Sequence, residues 1–169
     1  HFNPELAPWR MLFEQGVVYE ALRPNELHEV RHDLEEIKVV LIRGMITDQL
    51  PLIGVAKQVL SIADLIDVYN RRIGAGKIGG KATGMLVAWK ILQQTDPEYG
   101  ADISGLVTIP ESYYIGTDVM YEFRERNGLE DSMNQKYKPL DEIRAEYDQI
   151  TAAHVAGKLP ERIRDRLRG

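Results

Sequence analysis

The chain has 169 residues, a formal charge of -5, 44% hydrophobic and 28% charged residues, and no cysteine. One domain with enough apolar material for a core is the expectation at this length. Disulfides, thiolate metal sites and a cysteine nucleophile are excluded, and net acidity argues against general nucleic-acid binding, which needs an extended basic face.

No apolar run approaches the ~20 residues that cross a bilayer, and no signal-peptide pattern opens the chain, so no membrane partner is expected and the expected location is cytoplasmic. In chain order, Pro8 to Gln15 predicts a short helix closed by Gly16. Pro24-Asn25 starts a longer one running to Arg43, with Gly44 ending it. Leu27, Val30, Leu34, Ile37 and Leu41 alternate spacings of three and four along it, the seam of a coiled coil. Pro51 to Leu60 predicts a third helix, and Ser61-x-x-Asp64 caps a fourth that ends near Arg72. Residues 1–70 therefore form a helical region of antiparallel helices packed on one another.

His28-Glu29-Val30-Arg31-His32 on the seam helix is a literal H-E-x-x-H, which puts two imidazoles on one face and offers Glu29 as a general base. If Leu27 and Val30 face the seam, however, the histidines sit on the outer side. Glu35 stands where the longer zinc-protease motif continues with glycine. A solvated charged face is the reading that fits.

The chemistry lies at Ile73 to Trp89. This stretch holds Gly74, Gly76, Gly79, Gly80 and Gly84, five of the chain's fourteen glycines. Arg71 and Arg72 just before it and Lys77 and Lys81 within it fall in eleven residues that contain no acid. Ala82, Met85, Leu86, Trp89 and Leu92 recur at helical spacing, predicting a helix from Gly80 to Gln94. A glycine-rich turn that opens into a helix aims free N–H groups and a positive dipole end at an anion. Gly79 and Gly80 with Lys81 are the candidate phosphate site, and Lys77 and Arg72 are secondary anion contacts. The plainer alternative is a tight helix junction with solvated lysines. A Walker A loop fails, because Ala75 and Ala82 occupy the positions of its first glycine and its Ser/Thr. Gly74, Gly76 and Gly79 match G-x-G-x-x-G, but helical periodicity upstream leaves no strand to precede a dinucleotide turn.

Further along, Thr95 to Gly100 is punctuation, and Leu106 to Ile109 predicts the single clear strand. Thr117 caps a helix ending at Asn127-Gly128. Leu140, Ile143, Tyr147 and Ile150 mark another, and Pro160 starts a last one with Ile163 and Leu167 inward and Arg162, Arg164, Arg166 and Arg168 mostly outward. Of Tyr113 and Tyr114, which border a possible adenine pocket, one buried and one exposed is the alternative. Ser112 has no His and Asp to make a triad by spacing, and His154 reads as a core or surface residue.

Gly76-Lys-Ile-Gly-Gly-Lys-Ala-Thr-Gly84, with the helix and then Gly105 to Thr117 behind it, resembles the loop opening the ATP-binding domain of the pyruvate phosphate dikinase and phosphoenolpyruvate synthase family. Tyr121-Glu-Phe, Asn127-Gly-Leu and Gln135-Lys-Tyr-Lys resemble its synthase-like members, so the likeness runs from Ile62 to the end. It implies an α+β, predominantly helical fold: the N-terminal part of an ATP-grasp-like nucleotide-binding domain over residues 71–169, with a helical extension. It also implies ATP with magnesium as cofactors, Lys81 on the phosphates, and a phosphotransferase of kinase or dikinase type. The family's second basic residue, in a Val-Arg-Ser-Ser-type strand, and its magnesium carboxylates have no match here. The expectation is therefore a fragment, inactive alone, whose partners are ATP and the remaining domains of the enzyme. A helical regulatory or interaction module using the 27–41 seam is the alternative.

Overall fold

A computed structural model describes residues 8–94 and 107–168. The chain forms two compact units, His1–Gly116 and Thr117–Gly169.

In the first unit, α1 spans Trp9–Glu20, α2 Pro24–Met45, α3 Leu50–Val59 and α4 Ile62–Arg71. Gly16 does not close α1. It lies buried inside the helix, where a Cβ would stand 2.7 Å from Ile62 Cδ1. The glycine thus serves the close approach of α1 to α4. Gly44 likewise fails to end α2, which runs one residue further before Ile46. Much of the seam is covered within this unit. Leu34, Ile37 and Leu41, with Ile42 and Met45, are buried in this unit's own core against Ile53, Ala56, Ile62, Leu65 and Val68. The predicted cap of α4 is present, with Ser61 Oγ accepting from the Asp64 N–H (3.1 Å) and the Asp64 carboxylate accepting from the Ser61 N–H (2.9 Å). The Glu20 carboxylate at the end of α1 accepts from the Ile62 N–H (2.9 Å) and pairs with Lys38 of α2 (2.9 Å), so one acid ties three helices.

A two-residue strand follows α4 without a break: β1, Arg72–Ile73, paired in parallel with β2, Tyr114–Ile115. Between them comes α5, Gly80–Gln93, close to the predicted limits. The expectation that no strand precedes the glycine loop is therefore corrected. Two residues are too few to show an alternating pattern beside a helical one. Among the described residues this sheet has only those two strands, far from the extended sheet of a dinucleotide fold. The predicted strand is corrected as well. Residues 107–109 are irregular, and Gly105, Leu106 and the Thr95–Gly100 turn lie outside the described residues.

The second unit holds α6 (Thr117–Asn127), a 3₁₀ helix (Glu130–Tyr137), α7 (Leu140–Ala156) and α8 (Glu161–Arg168). Gly128 takes φ 64° after α6, the left-handed turn that glycine accommodates. Val119 and Ile163 are buried, but Leu140, Tyr147 and Leu167 are exposed against expectation. A unit this small has too little interior to cover every apolar position. Arg162 binds Glu122, and His154 Nδ1 bonds the Ile150 carbonyl of its own helix (2.8 Å).

Candidate functional site

Ile78 anchors the glycine loop. Its side chain is buried in the core, and its N–H donates to the Met45 carbonyl at the end of α2 (2.9 Å). On either side the chain turns at glycine, with φ 97° at Gly74 and φ 81°, ψ 163° at Gly79. Gly79 is the N-cap of α5 and has no side chain to satisfy the first N–H groups of the helix, which lack intrahelical acceptors by construction. Thr83 closes the turn from inside, fully buried, its hydroxyl donating to the Gly79 carbonyl (2.7 Å). A Cβ added at Gly79, Gly80 or Gly84 would meet nothing within 4 Å. Among the described residues the helix start is therefore uncovered, with its positive dipole end and the first-turn N–H groups that lack intrahelical acceptors.

The basic residues divide by role. Lys81, in the first turn of α5, is exposed and makes no ion pair among the described residues. Lys77 pairs with Asp48 (2.8 Å), and Arg71 with Asp67 (2.8 Å). Arg72 is only 8% exposed. Its Nη1 donates to the carbonyls of Ala75 (2.9 Å) and Gly76 (3.2 Å), with a longer contact to Gly44 (3.5 Å). The guanidinium carbon lies 5.7 Å from the ring centroids of both Trp9 and Tyr69. Nothing local in the sequence marks this, since the aromatic partner Trp9 is sixty-odd positions away.

Beyond the loop, a cavity of about 350 Å³ lies between α5 (Met85, Leu86, Trp89) and the segment Ile109 to Tyr114. Tyr114 is buried and Tyr113 is 62% exposed, so the tyrosines split as one in and one out. Burial, with Asp67 nearby, pushes the Tyr114 phenol above its usual value despite Arg71. At the rim Lys90 pairs with Asp64 (2.6 Å). Burial pulls the Asp64 carboxyl upward, yet Lys90 and the Ser61 N–H and hydroxyl outweigh it and hold the group below the usual carboxylate range. Ser112 donates its hydroxyl to the Pro110 carbonyl (2.8 Å). His28, Glu29 and His32 all lie on an exposed face of α2, His32 beside Glu36 (3.4 Å).

Residues 75–169 match the family described as pyruvate phosphate dikinase, AMP/ATP-binding domain. The match covers more than half of the chain and begins within the glycine loop. The chain belongs to this family. It carries the AMP/ATP-binding part of a dikinase-like enzyme, which makes a nucleotide the ligand to be placed. The helices α1 to α4 lie outside the matched residues. Searches of curated proteins and of solved structures return no match. Among the described residues, no helix is long and apolar enough to cross a membrane.

Proposed function

We propose that the dikinase-family domain binds ATP phosphates at the start of α5, within an ATP-dependent phosphotransferase of the phosphoenolpyruvate synthase or pyruvate phosphate dikinase type. The observation that carries this reading is a helix N-terminus capped by glycine, open in front, with an unpaired lysine in its first turn. The backbone amides after Gly79 cradle the phosphate oxygens, and Lys81 neutralises charge that grows on them during transfer. Lys77, paired with Asp48, joins as an outer cation, while Arg72 shapes the loop from behind. An ATP-grasp arrangement, in which a second lobe closes over the nucleotide, fits a site so open on one side. Among the described residues no three carboxylates or imidazoles gather to hold a metal. Magnesium would enter with the nucleotide as the counter-ion of its phosphates.

The test is an amide chemical-shift titration with Mg-ATP, run on the native chain and on Lys81→Ala. Shifts concentrated at Gly74–Gly84 and abolished by the substitution are expected. No shift at millimolar nucleotide would reject a site carried by this chain alone.

A further inference from the structure

We infer that Arg72 is the positioning residue of the glycine loop, and that Trp9, on a helix outside the family match, belongs to the nucleotide site by holding Arg72 in place. The inference rests on the nucleotide reading above and adds to it the means by which the loop keeps its shape.

A residue that reached a phosphate from this position would present its guanidinium to the open side. Arg72 instead spends Nη1 on carbonyl oxygens of the turn, those of Ala75 and Gly76, and on Gly44 of α2. Taking a charged group out of water is costly unless its surroundings compensate. Among the described contacts, compensation comes from those carbonyl dipoles and from two ring faces at 5.7 Å, Trp9 and Tyr69. The rings are themselves fixed. Trp9 and Tyr69 are 5.9 Å apart, and Phe13 stands edge-on to Tyr69 at 5.2 Å. A planar guanidinium can stack and donate at once, whereas a lysine ammonium cannot do both.

The clasp acts where it matters. Ala75 and Gly76 lie between Gly74, which turns at φ 97°, and the anchored Ile78, the stretch that decides where Gly79 and the start of α5 point. Fixing those peptides before a ligand arrives removes an ordering cost from binding. The N-terminal helix thereby reaches the site without any contact to nucleotide.

The experiment is a double-mutant cycle on the full chain: native, Arg72→Lys, Trp9→Leu and the pair. Backbone amide spectra are recorded without nucleotide, Mg-ATP affinity is measured by calorimetry, and melting temperature is followed in parallel. Arg72→Lys is expected to shift the amides of Ala75, Gly76 and Ile78 in the nucleotide-free protein and to weaken Mg-ATP binding about tenfold, the size of a lost charge-assisted hydrogen bond. Trp9→Leu should move the same amides and weaken binding less, and the pair should be no worse than Arg72→Lys alone. Unchanged loop amides in Arg72→Lys, or affinity losses that simply add, overturn the inference. So does a lower melting temperature with loop spectrum and affinity intact, which marks a structural role only. If Arg72→Lys does not fold, Trp9→Leu decides by the same two readouts. Should the native chain fail to bind Mg-ATP, the nucleotide reading falls, while the amide shifts still judge the clasp.

Discussion

Gly79 and Gly80 are adjacent and chemically identical, yet they should respond oppositely to a methyl group. At φ 81°, ψ 163°, Gly79 occupies a region closed to other residues, so Gly79→Ala should cost about 1–3 kcal/mol of stability. Gly80 has no positive φ and nothing within 4 Å of an added Cβ. Gly80→Ala should therefore leave the melting temperature unchanged or slightly raised. If phosphates approach the helix start, the same methyl should lower Mg-ATP affinity, and calorimetry on folded protein separates the two effects. Lys81→Ala belongs with Gly80: exposed and unpaired, its loss should be silent in stability and visible in binding. The glycine pair and Lys81 stood out in the sequence as candidates because a phosphate site needs those residue types in one short run. The surroundings of Arg72 were not legible, because its ring neighbours Trp9 and Tyr69 and the carbonyls of Ala75 and Gly76 are brought to it by folding.

Among the elements, α4 is the most completely specified by local chemistry. Ser61→Ala should destabilise by about 1 kcal/mol, read from urea unfolding, through loss of the cap. Asp64 adds a pH dependence with a definite sign. Its folded pKa is depressed, so its stabilisation is complete above the unfolded value of about 3.9 and is lost as pH falls through the folded one. Lys90→Met removes the main opposing charge, and the acid-unfolding midpoint should move to higher pH. The α1–α4 crossing makes a different demand. Gly16→Val should overpack against Ile62 and Ile37, at about 1–3 kcal/mol. In sequence that glycine resembles a helix stop, and only the neighbouring helix reveals it as a contact surface.

For the whole molecule, α2 is the spine of the first unit, and Leu41, fully buried, tests it. Leu41→Ala should cost about 2–5 kcal/mol by calorimetric or denaturant unfolding. Ile78 hangs the loop on the end of this same helix, so nucleotide bound at the loop, as proposed, should stabilise the native fold. Mg-ATP at a hundred times its dissociation constant should add about 2.7 kcal/mol to the native protein, an increment missing in Lys81→Ala.

The sequence alone determined the helices of the first unit, the Ser61 cap, the start of α5 and the family, because periodicity, capping and a glycine–lysine loop are local patterns a short window can hold. It also suggested a coiled-coil-like seam along α2 and a stop at Gly16, and it left the surroundings of Arg72 open. Only the tertiary structure decided those, together with the short parallel pairing of β1 with β2. Which surface an apolar stripe covers, how near another helix passes and what surrounds a buried guanidinium are set by residues distant in sequence, and no window along the chain contains them.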